Sequence, residues 1–592
     1  MQIRYKNKGL EKALIVVNIL TAAAVVTSFV WLFGFDKPVL PARILYAIQI
    51  ALLGIFIIEK FIRLLNSASK TVFCKANWFE ALLLILLGIT IFKADWWSNI
   101  AEVATVRYLA VGIYLVLQVV IKLCRTVVNM AASGRSPAQT LIASFLALIL
   151  SGAGLLMLPK SSVSENIGFV DALFTATSAT CVTGLIVKDT GADFSRMGQV
   201  IILSLIQLGG LGIVIFGAVI ALLLGQASLR EQVAMQDLLN ARTLGRISNM
   251  IVFIFAGTIL IEAIGAVSTF GMWDDVPGRV TNIQQQWFFS IFHSISAFCN
   301  AGFSLFSDSF ISYNRNWQIY VVICPLIILG GLGFGVLYDL ANIATDRVQR
   351  FFKKLFSKHL RFSMEAPKRM QLQTKIVLSL SAALIILGML AIVLFEHYSG
   401  NDPDKSADIG GALFQSITAR TTGFNTMDIS ALSAQSKIIL IILMFIGGSP
   451  GSTAGGIKTV TLAVVIMTVF AALRKREEVE MFKRSIRMVV IGRAITVTLI
   501  FAAVLFTAAL TLSITERARG FTMMDIFFET GSALGTVGLT TGITPSLTMA
   551  GKFIIIAVML IGRLGPLTLL AALTFNLKPA RYNYPQDAII VG

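Results

Sequence analysis

The sequence predicts an all-α polytopic membrane protein in which four similar helical repeats surround a central pore, preceded by about four further transmembrane helices. Three observations predict this fold. The 592 residues are 56% hydrophobic and only 14% charged, with a mean hydropathy of +0.81, too apolar for the surface of a soluble protein of this size. Apolar segments of about 20 residues, each able to cross a bilayer as a helix, recur from Leu14 to Phe575. Four glycine-centred turns interrupt this apolar pattern.

The first four apolar segments form a predicted N-terminal unit, residues 1–130. Its helices are placed at about 13–33, 42–62, 78–93 and 103–123. The second and third faintly resemble helices of voltage-sensor domains. The fourth has a basic residue only near each end, Arg107 and Lys122, so a large gating charge is not supported. A peripheral helical accessory is favoured, with a voltage-sensor-derived fold that does not sense voltage as the alternative.

The rest of the chain contains eight further apolar segments. They lie near 138–158, 199–224, 249–270, 317–340, 374–396, 436–470 (interrupted), 493–514 and 551–575. Taken in pairs, they predict pore repeats at 131–225, 226–345, 346–475 and 476–592, the third with an intramembrane loop and the last with a cytoplasmic tail.

The net charge of +18 is explained by topology and does not require nucleic acid as a partner. When the segments alternate across the membrane, the basic residues concentrate on the side of the N-terminus, as the positive-inside rule expects. Both termini are therefore predicted to be cytoplasmic. The most basic inner loop, Arg347 to Lys375, is either an anchor on lipid headgroups, which is favoured, or a docking surface for a cytosolic partner.

The four turns share a glycine and several flanking markers. The turn glycines, Gly184, Gly302, Gly423 and Gly538, are 118, 121 and 115 residues apart, a regular internal repeat. Each has a phenylalanine nine or ten residues before it, namely Phe174, Phe292, Phe414 and Phe528. An aspartate opens three of the short segments (Asp171, Asp408 and Asp525), where it can cap a helix N-terminus. A glycine-rich motif follows in the next helix, at Gly209–Gly212, Gly330–Gly333, Gly447–Gly451 and Gly562–Gly565.

The turns are predicted to form an ion-selective filter. Non-helical backbone at membrane depth is tolerated only inside protein or beside a water-filled cavity, and parallel repeats can surround an axis normal to the membrane. A ring of backbone carbonyls then offers ligands to a dehydrated monovalent cation. The fourth turn begins with the Thr-Val-Gly of the potassium-channel filter, but only the glycine recurs in all four turns. The predicted filter residues, with potassium as the bound ion, are Val182, Thr183, Gly184, Asn300, Ala301, Gly302, Thr421, Thr422, Gly423, Thr536, Val537 and Gly538.

At these residues the chain resembles the Trk/Ktr/HKT superfamily of cation transporters, in particular the TrkH-like potassium uptake subunits, over about residues 138–575. In that family, glycine in all four loops accompanies potassium selectivity, and serine in the first loop marks sodium-preferring members. The resemblance implies a homodimer in the cell (inner) membrane that is regulated by a separate cytosolic ring of nucleotide-binding subunits. No nucleotide-binding domain is recognised in the sequence itself.

The sixth of the eight segments is interrupted by "GGSPGSTAGGIKT", Gly447 to Thr459. This stretch does not match a phosphate-binding loop, because Lys458 comes one place late and no strand precedes it. A flexible loop beneath the filter is favoured, since five glycines and a proline do not sustain a helix. Close helix packing is the alternative. The predicted gating residues are Gly447, Gly448, Gly451, Gly455, Gly456 and Arg563.

Arg563 replaces the glycine found at its position in the other repeats. A permanent cation inside a membrane segment is functional by default, so we expect it to bind the carbonyls of the loop and to raise a barrier to cations. The alternative is a structural tie to an acid. In the family, the matching arginine contacts the intramembrane gating loop. The third repeat of that family often has an arginine at the position of Arg420. The resemblance therefore favours a buried structural role for Arg420 behind the filter, paired with an unidentified acid, over a role facing the ion.

The predicted function is potassium uptake through the filter, and an ion-coupled potassium or sodium symporter is the alternative. A membrane-embedded enzyme is disfavoured, because no nucleophile and base are paired among the intramembrane residues. The five cysteines and three histidines show no disulfide or metal-ligand spacing. No cofactor is expected apart from the transported potassium ion.

Overall fold

The computed structural model describes residues 6–35, 37–92, 107–108, 110–119, 137–163, 166–212, 247–276, 282–356, 368–399, 409–476 and 478–565. These residues are almost entirely helical, apart from loops and one two-stranded antiparallel hairpin, β1 (Glu480–Met481) and β2 (Arg484–Ser485). Among them, six helices are long and apolar enough to cross a bilayer, or seven if one bent pair counts as a single span. The prediction of an all-α, multi-pass membrane protein is confirmed.

The N-terminal unit contains four of the described helices and part of a fifth. They are α1 (Lys8–Phe33), α2 (Ala42–Asn66), α3 (Lys70–Ala76), α4 (Trp78–Phe92) and α5 (Ala110–Val119). Helix α1 begins where the Asn7 side chain accepts hydrogen bonds from two backbone N–H groups, a standard N-cap. Ion pairs of Lys60 with Glu80 and of Arg63 with Glu59 hold α2 against α4 and stabilise α2 itself. Of the predicted helix 103–123, only residues 107–108 and α5 are described, and Lys122 lies outside the described residues.

Four later stretches share one order of elements: a long helix, a short helix, a turn and a third helix. We call them units 1 to 4. Unit 1 contains α6 (Pro137–Leu156), α7 (Phe169–Cys181) and α8 (Arg196–Leu211); unit 2 contains α9 (Ile247–Thr269), α10 (Ile283–Phe298) and α11 (Cys324–Leu332), followed by α12 (Phe334–Phe356). Unit 3 contains α13 (Leu372–Tyr398), α14 (Ile409–Thr418), α15 (Ala434–Phe445) and α16 (Thr459–Leu473); unit 4 contains α17 (Met488–Thr515), α18 (Met523–Gly535) and α19 (Met549–Leu564).

The short helices lie at the centre and the long helices outside them. The four aligned phenylalanines of the short helices have no exposed surface. Their regular spacing in the sequence does not by itself predict this burial. The long helices instead expose large aliphatic side chains, among them Leu260, Leu387 and Leu510 at 61%, 64% and 61%. Such exposure suits contact with lipid and not with water.

The predicted helix 317–340 is wrong as a single straight span. A π-helical turn at Ile319–Ile323 precedes α11, and the chain then bends by 105° between α11 and α12. The bend falls at Gly333, whose φ of 86° is disfavoured for residues with a side chain. Helix α12 is then anchored to the start of α13, because Asp339 accepts hydrogen bonds from Thr374 Oγ1 (2.7 Å) and Gln371 N (3.0 Å).

The boundaries of the predicted repeats stay predictions. Those at 130/131 and 225/226 lie outside the described residues, and α12 runs across the one at 345/346. The interruption within 436–470 is present, since residues 446–458 separate α15 from α16.

The aspartates expected to cap the short helices differ from one another. Asp525 forms a capping box with Thr522 at the start of α18, as expected. Asp171 does not cap α7 but pairs with Lys552 of unit 4 (Oδ1 to Nζ, 2.6 Å). Asp408 lies outside the described residues.

Candidate functional site

Each of three short helices ends in the same left-handed turn. The residue two places before the turn glycine has a positive φ: 58° at Val182, 58° at Asn300 and 52° at Thr536. Its N–H bonds the carbonyl three residues back at 3.1 Å, and the next N–H bonds the carbonyl five residues back at 2.8 Å, in all three units. This is the Schellman pattern of a helix C-terminus. Unit 3 differs, since Thr422 N still bonds Thr418 O at 2.9 Å and Thr421 has a φ of 83°.

The four turns form a closed ring, which we call the turn ring: residues 182–184, 300–302, 421–423 and 536–538. A Cβ built on Gly184 would lie 2.5 Å from Ala301 O of unit 2. In the same way, a Cβ on Gly302 would overlap Thr422 O, one on Gly423 would overlap Val537 O, and one on Gly538 would overlap Thr183 O. The sequence of contacts runs from unit 1 through 2, 3 and 4 and back to 1. Units 1 and 3 are therefore opposite each other, as are units 2 and 4.

The turn glycines are required for two separate reasons. Their φ angles are 90°, 66°, 94° and 94° in chain order, values that other residues rarely adopt. In addition, the neighbouring carbonyl occupies the space that a side chain would need. The structure thus brings all twelve sequence-predicted filter residues together in one ring.

A serine six residues before the glycine supports three of the turns, and the sequence reasoning missed it. Ser178 Oγ accepts a hydrogen bond from Gly184 N (3.1 Å), and Ser532 Oγ accepts one from Gly538 N (3.0 Å). In unit 2, Ser296 Oγ instead donates to Phe303 O (2.8 Å). The signal was present in the alignment of the turns, because a serine precedes three of the four glycines by the same interval.

Residues 446–458, which we call the central loop, lie against the turn ring and the ends of the third helices. Ser449 N donates to Gly331 O (3.0 Å), and Thr453 Oγ1 donates to Gly330 O (3.1 Å). A Cβ on Gly455 would overlap Thr536 Oγ1 of the turn ring. Ser449 and Thr453 are buried, at 0% and 1% exposure. The loop therefore packs directly against the ring.

The first glycine of each glycine-rich motif has a packing role in three units. A Cβ there would overlap the backbone carbonyl four residues before the turn glycine: Gly209 with Thr180 O, Gly330 with Phe298 O, and Gly562 with Leu534 O. In unit 3 the corresponding Gly447 faces Gly455 O of the central loop instead. Unit 3 thus replaces a contact between two helices with a contact inside its own loop.

Arg563 joins the central loop to unit 1. Its Nη1 donates to Thr453 O, and its Nη2 donates to Gly209 O (2.5 Å) and Gly210 O (3.2 Å). Among the described residues it forms no ion pair. The expected contact with the loop is present. The alternative, a structural ion pair of Arg563 with an acid, has no carboxylate partner among the described residues.

The acid expected as the partner of Arg420 is not found among the described residues. The Arg420 guanidinium donates to Ser381 Oγ (3.1 Å) and Ser381 O (3.4 Å) of α13. These neutral acceptors come from a neighbouring helix of the same unit, and nothing in the local sequence marks them.

Comparison with known proteins agrees with this arrangement. The sequence model of the TrkH family, described as a cation transport protein, matches residues 109–583. The chain belongs to the TrkH family. This match extends over the four units and begins before them, near Arg107.

Similar TrkH-family proteins include two bacterial uptake proteins. The chain is 38% identical over 464 residues to "Ktr system potassium uptake protein B" of Bacillus subtilis, covering 77% of this chain and 97% of that protein. It is 36% identical over 467 residues to "Potassium/sodium uptake protein NtpJ" of Enterococcus hirae, covering 77% and 97%. The fold is similar to the crystal structure of the potassium transporter TrkH from Vibrio parahaemolyticus, with a TM-score of 0.57, 18% identity, and coverage of 84% of this chain and 98% of that one. Transport, and not enzymatic catalysis, is the activity of the family.

Proposed function

We propose that this protein takes up potassium across the cell membrane through the turn ring. The closed succession of four glycine turns, each glycine facing the carbonyl of the next unit, is the observation that carries the proposal. Such a succession concentrates backbone oxygens from four units in one place, which suits a monovalent cation that gives up its water. The names of the relatives from Bacillus subtilis and Enterococcus hirae support potassium as the ion.

Potassium is the substrate, and the residues that bind it in this proposal are the twelve of the turn ring. Eight of them flank the glycines and supply backbone carbonyls. The glycines allow the chain to take the required path. Glycine at all four positions favours potassium over sodium.

We further propose that the central loop and Arg563 form the gate. The loop contacts the turn ring at Thr536 and the end of α11 at Gly330 and Gly331, a position from which it can block an ion that leaves the ring. Its hydrogen bonds to unit 2 involve neutral backbone and hydroxyl groups. Arg563 links the loop to unit 1, and its charge opposes the passage of a cation. Displacement of the loop would open the path.

Assembly and location are part of the same proposal. We infer a homodimer in the inner membrane with both termini in the cytoplasm and cytosolic nucleotide-binding regulatory subunits as partners. The name of the Bacillus subtilis relative describes one protein of a Ktr system, which supports a second component. The basic stretch from Arg347 to Lys375 supplies charge for lipid headgroups or for that partner.

The test is potassium uptake in cells that lack their own potassium transport. Cells with the full-length protein should grow and accumulate potassium at low external concentration, with rubidium competing strongly and sodium weakly. Equal competition by sodium and rubidium would contradict a potassium-selective ring.

A second candidate is an ion-coupled potassium or sodium symporter, which the name of the Enterococcus hirae relative favours. Unitary currents from purified protein in a lipid bilayer separate the two. Discrete currents in potassium alone support channel-like flux, whereas uptake that requires sodium or a proton gradient supports coupling.

A further inference from the structure

A buried polar residue follows the aligned phenylalanine in every short helix. These residues are Thr175 in unit 1, His293 in unit 2, Gln415 in unit 3 and Glu529 in unit 4, and their exposed fractions are 1%, 0%, 0% and 0%. Burying a polar group is costly unless it is hydrogen-bonded. Among the described residues, only His293 and Glu529 of these four have side-chain hydrogen bonds to the chain that follows the turn ring.

Glu529 holds the chain that leaves the turn of unit 4. Its Oε2 accepts a hydrogen bond from Thr540 Oγ1 (2.9 Å), and its Oε1 accepts one from Thr544 Oγ1. Thr540 Oγ1 also accepts from Gly542 N (3.0 Å). One carboxylate therefore fixes both ends of the segment 540–544, which starts two residues after the turn glycine Gly538.

His293 holds the corresponding chain in unit 2. Its Nδ1 lies 2.8 Å from Phe289 O, and its Nε2 accepts a hydrogen bond from Leu305 N at 3.2 Å. These two partners require a neutral imidazole with its proton on Nδ1. Ser304 Oγ then donates to Nε2 at 3.2 Å.

The two arrangements are equivalent. Ser304 and Thr540 both lie two residues after the turn glycine, and each hydroxyl accepts a hydrogen bond at 3.0 Å from the N–H two residues further on. The acceptor on the short helix is an imidazole in unit 2 and a carboxylate in unit 4, but the hydroxyl that it holds has the same position after the turn glycine. We call this hydrogen bond the brace and the hydroxyl the braced hydroxyl. Because units 2 and 4 are opposite each other, the braces lie on one diagonal of the turn ring.

The other diagonal lacks this brace. Within the described residues, the side chains of Thr175 and Gln415 have no hydrogen-bond partner, and Ile186 replaces the hydroxyl residue in unit 1. Unit 3 is held from outside, since Asn425 N donates to Ser309 Oγ (3.2 Å) and Phe310 N donates to Asn425 O (3.0 Å). The turns of units 2 and 4 are thus positioned differently from those of units 1 and 3.

We propose that Glu529 and His293 are positioning residues that set the discrimination of the turn ring among alkali cations. The inference rests on the proposed function of the ring as a potassium filter. A single residue, Leu539 or Phe303, separates the turn glycine from the braced hydroxyl, so release of the brace moves the turn that carries the carbonyls of the ring. Discrimination in a carbonyl filter depends on the spacing or the field strength of such groups.

The decisive variants alter the braced hydroxyls and leave the ring residues unchanged. Thr540→Val removes the hydroxyl at nearly constant volume, and Thr540→Ser keeps it. We expect Thr540→Val to weaken the preference for potassium over sodium about threefold to tenfold, the effect of one lost hydrogen bond, and Thr540→Ser to restore it. Ser304→Ala should change the ratio in the same direction by less. The readout is potassium uptake by full-length protein under sodium and rubidium competition, normalised to the amount in the membrane.

Glu529→Gln separates positioning from charge. The amide oxygen of glutamine still accepts from Thr540 Oγ1, so this variant should keep most of the preference for potassium. Glu529→Leu cannot accept and should reproduce the loss seen in Thr540→Val, and the double variant Glu529→Leu/Thr540→Val should lose no more than Thr540→Val alone, because both changes break the same bond. If Glu529→Gln lowers the preference and Thr540→Val does not, the carboxylate acts through its charge and the positioning proposal is wrong.

Two further variants provide controls. Thr175→Val alters the equivalent side chain of unit 1 that has no partner, and it should leave the ratio unchanged. Gly184→Ser alters the ring itself. If Gly184→Ser shifts the ratio and both Thr540→Val and Ser304→Ala leave it unchanged, the brace is excluded and the filter stands. If Gly184→Ser also has no effect, the filter assignment has failed.

Discussion

The turn ring and the central loop are both rich in glycine, but they use it differently. In the ring, every glycine has a positive φ and faces a carbonyl of another unit. In the loop, a Cβ on Gly447 would overlap Gly455 O of the same loop, and a Cβ on Gly451, which has a φ of 73°, would meet no atom within 4 Å. The ring glycines are therefore fixed by contacts between units, and most loop glycines by contacts within the loop. This difference is consistent with the roles proposed above, in which the ring is the filter and the loop is the gate.

The largest expected effect is on the turn ring. Gly423→Ala should reduce potassium uptake to about a tenth or less, because alanine is strained at a φ of 94° and its Cβ overlaps Val537 O. Uptake rates normalised to protein in the membrane measure it. The matched control is Gly492→Ala in helix α17, where a Cβ meets nothing within 4 Å. Equal rates in both variants would remove the distinction between the ring and other glycines.

The second-largest expected effect is on the central loop. Arg563→Ala should raise potassium flux about tenfold, because it removes hydrogen bonds from a charged donor to Thr453 O and Gly209 O. Arg563→Lys keeps the charge but not the fork of donors, so its flux should fall between the two. Flux in Arg563→Ala equal to or below that of the unaltered protein would contradict a restraining role.

A smaller effect is expected where ring and loop touch. Gly455→Ala should raise flux about fivefold, since its Cβ overlaps Thr536 Oγ1 and about 1 kcal/mol of overpacking displaces the loop. The double variant Gly455→Ala/Arg563→Ala should raise flux by less than the product of the two single effects, because both variants release the same loop. Lower flux in Gly455→Ala would show that overpacking distorts the ring before it displaces the loop.

The smallest effect concerns the closure of the ring between units 4 and 1. Lys552→Ala removes the ion pair with Asp171, whose side chains are 15% and 23% exposed. The free energy of unfolding should fall by about 1 kcal/mol or less, measured as thermal stability in detergent. Asp171→Asn should have the same effect, and the double variant should add nothing. A large loss of stability would mean that closure depends on this pair and not on the turn ring.

The sequence was sufficient to predict the turn ring because the backbone conformation of each turn requires glycine at the same position. Gly184, Gly302, Gly423 and Gly538 recur at one interval, and the structure places them side by side. The interruption of unit 3 was equally visible, since a proline and five glycines exclude a continuous helix. Local composition therefore predicted the features that depend on local conformation.

The features that the sequence did not predict depend on tertiary packing. Val182 and Thr536 are ordinary β-branched residues, and only the packing of the helix end selects their positive φ. The bend at Gly333 was missed because glycines inside apolar segments often serve close packing. The signal was the last glycine of the motif, since Gly212, Gly333 and Gly565 all have φ near 80°. Ser381, which binds Arg420, is 39 residues distant in sequence and has no local marker.

The most direct test of the central claim is the potassium-to-sodium permeability ratio of purified protein in lipid vesicles, measured for the unaltered protein and for Gly184→Ser. Serine would adopt a φ of 90° with its Cβ 2.5 Å from Ala301 O, so the ring has to widen on that side. The unaltered protein should prefer potassium, and the variant should lose about tenfold of that preference. The same ratio in both proteins, with the variant folded and active, would contradict this prediction.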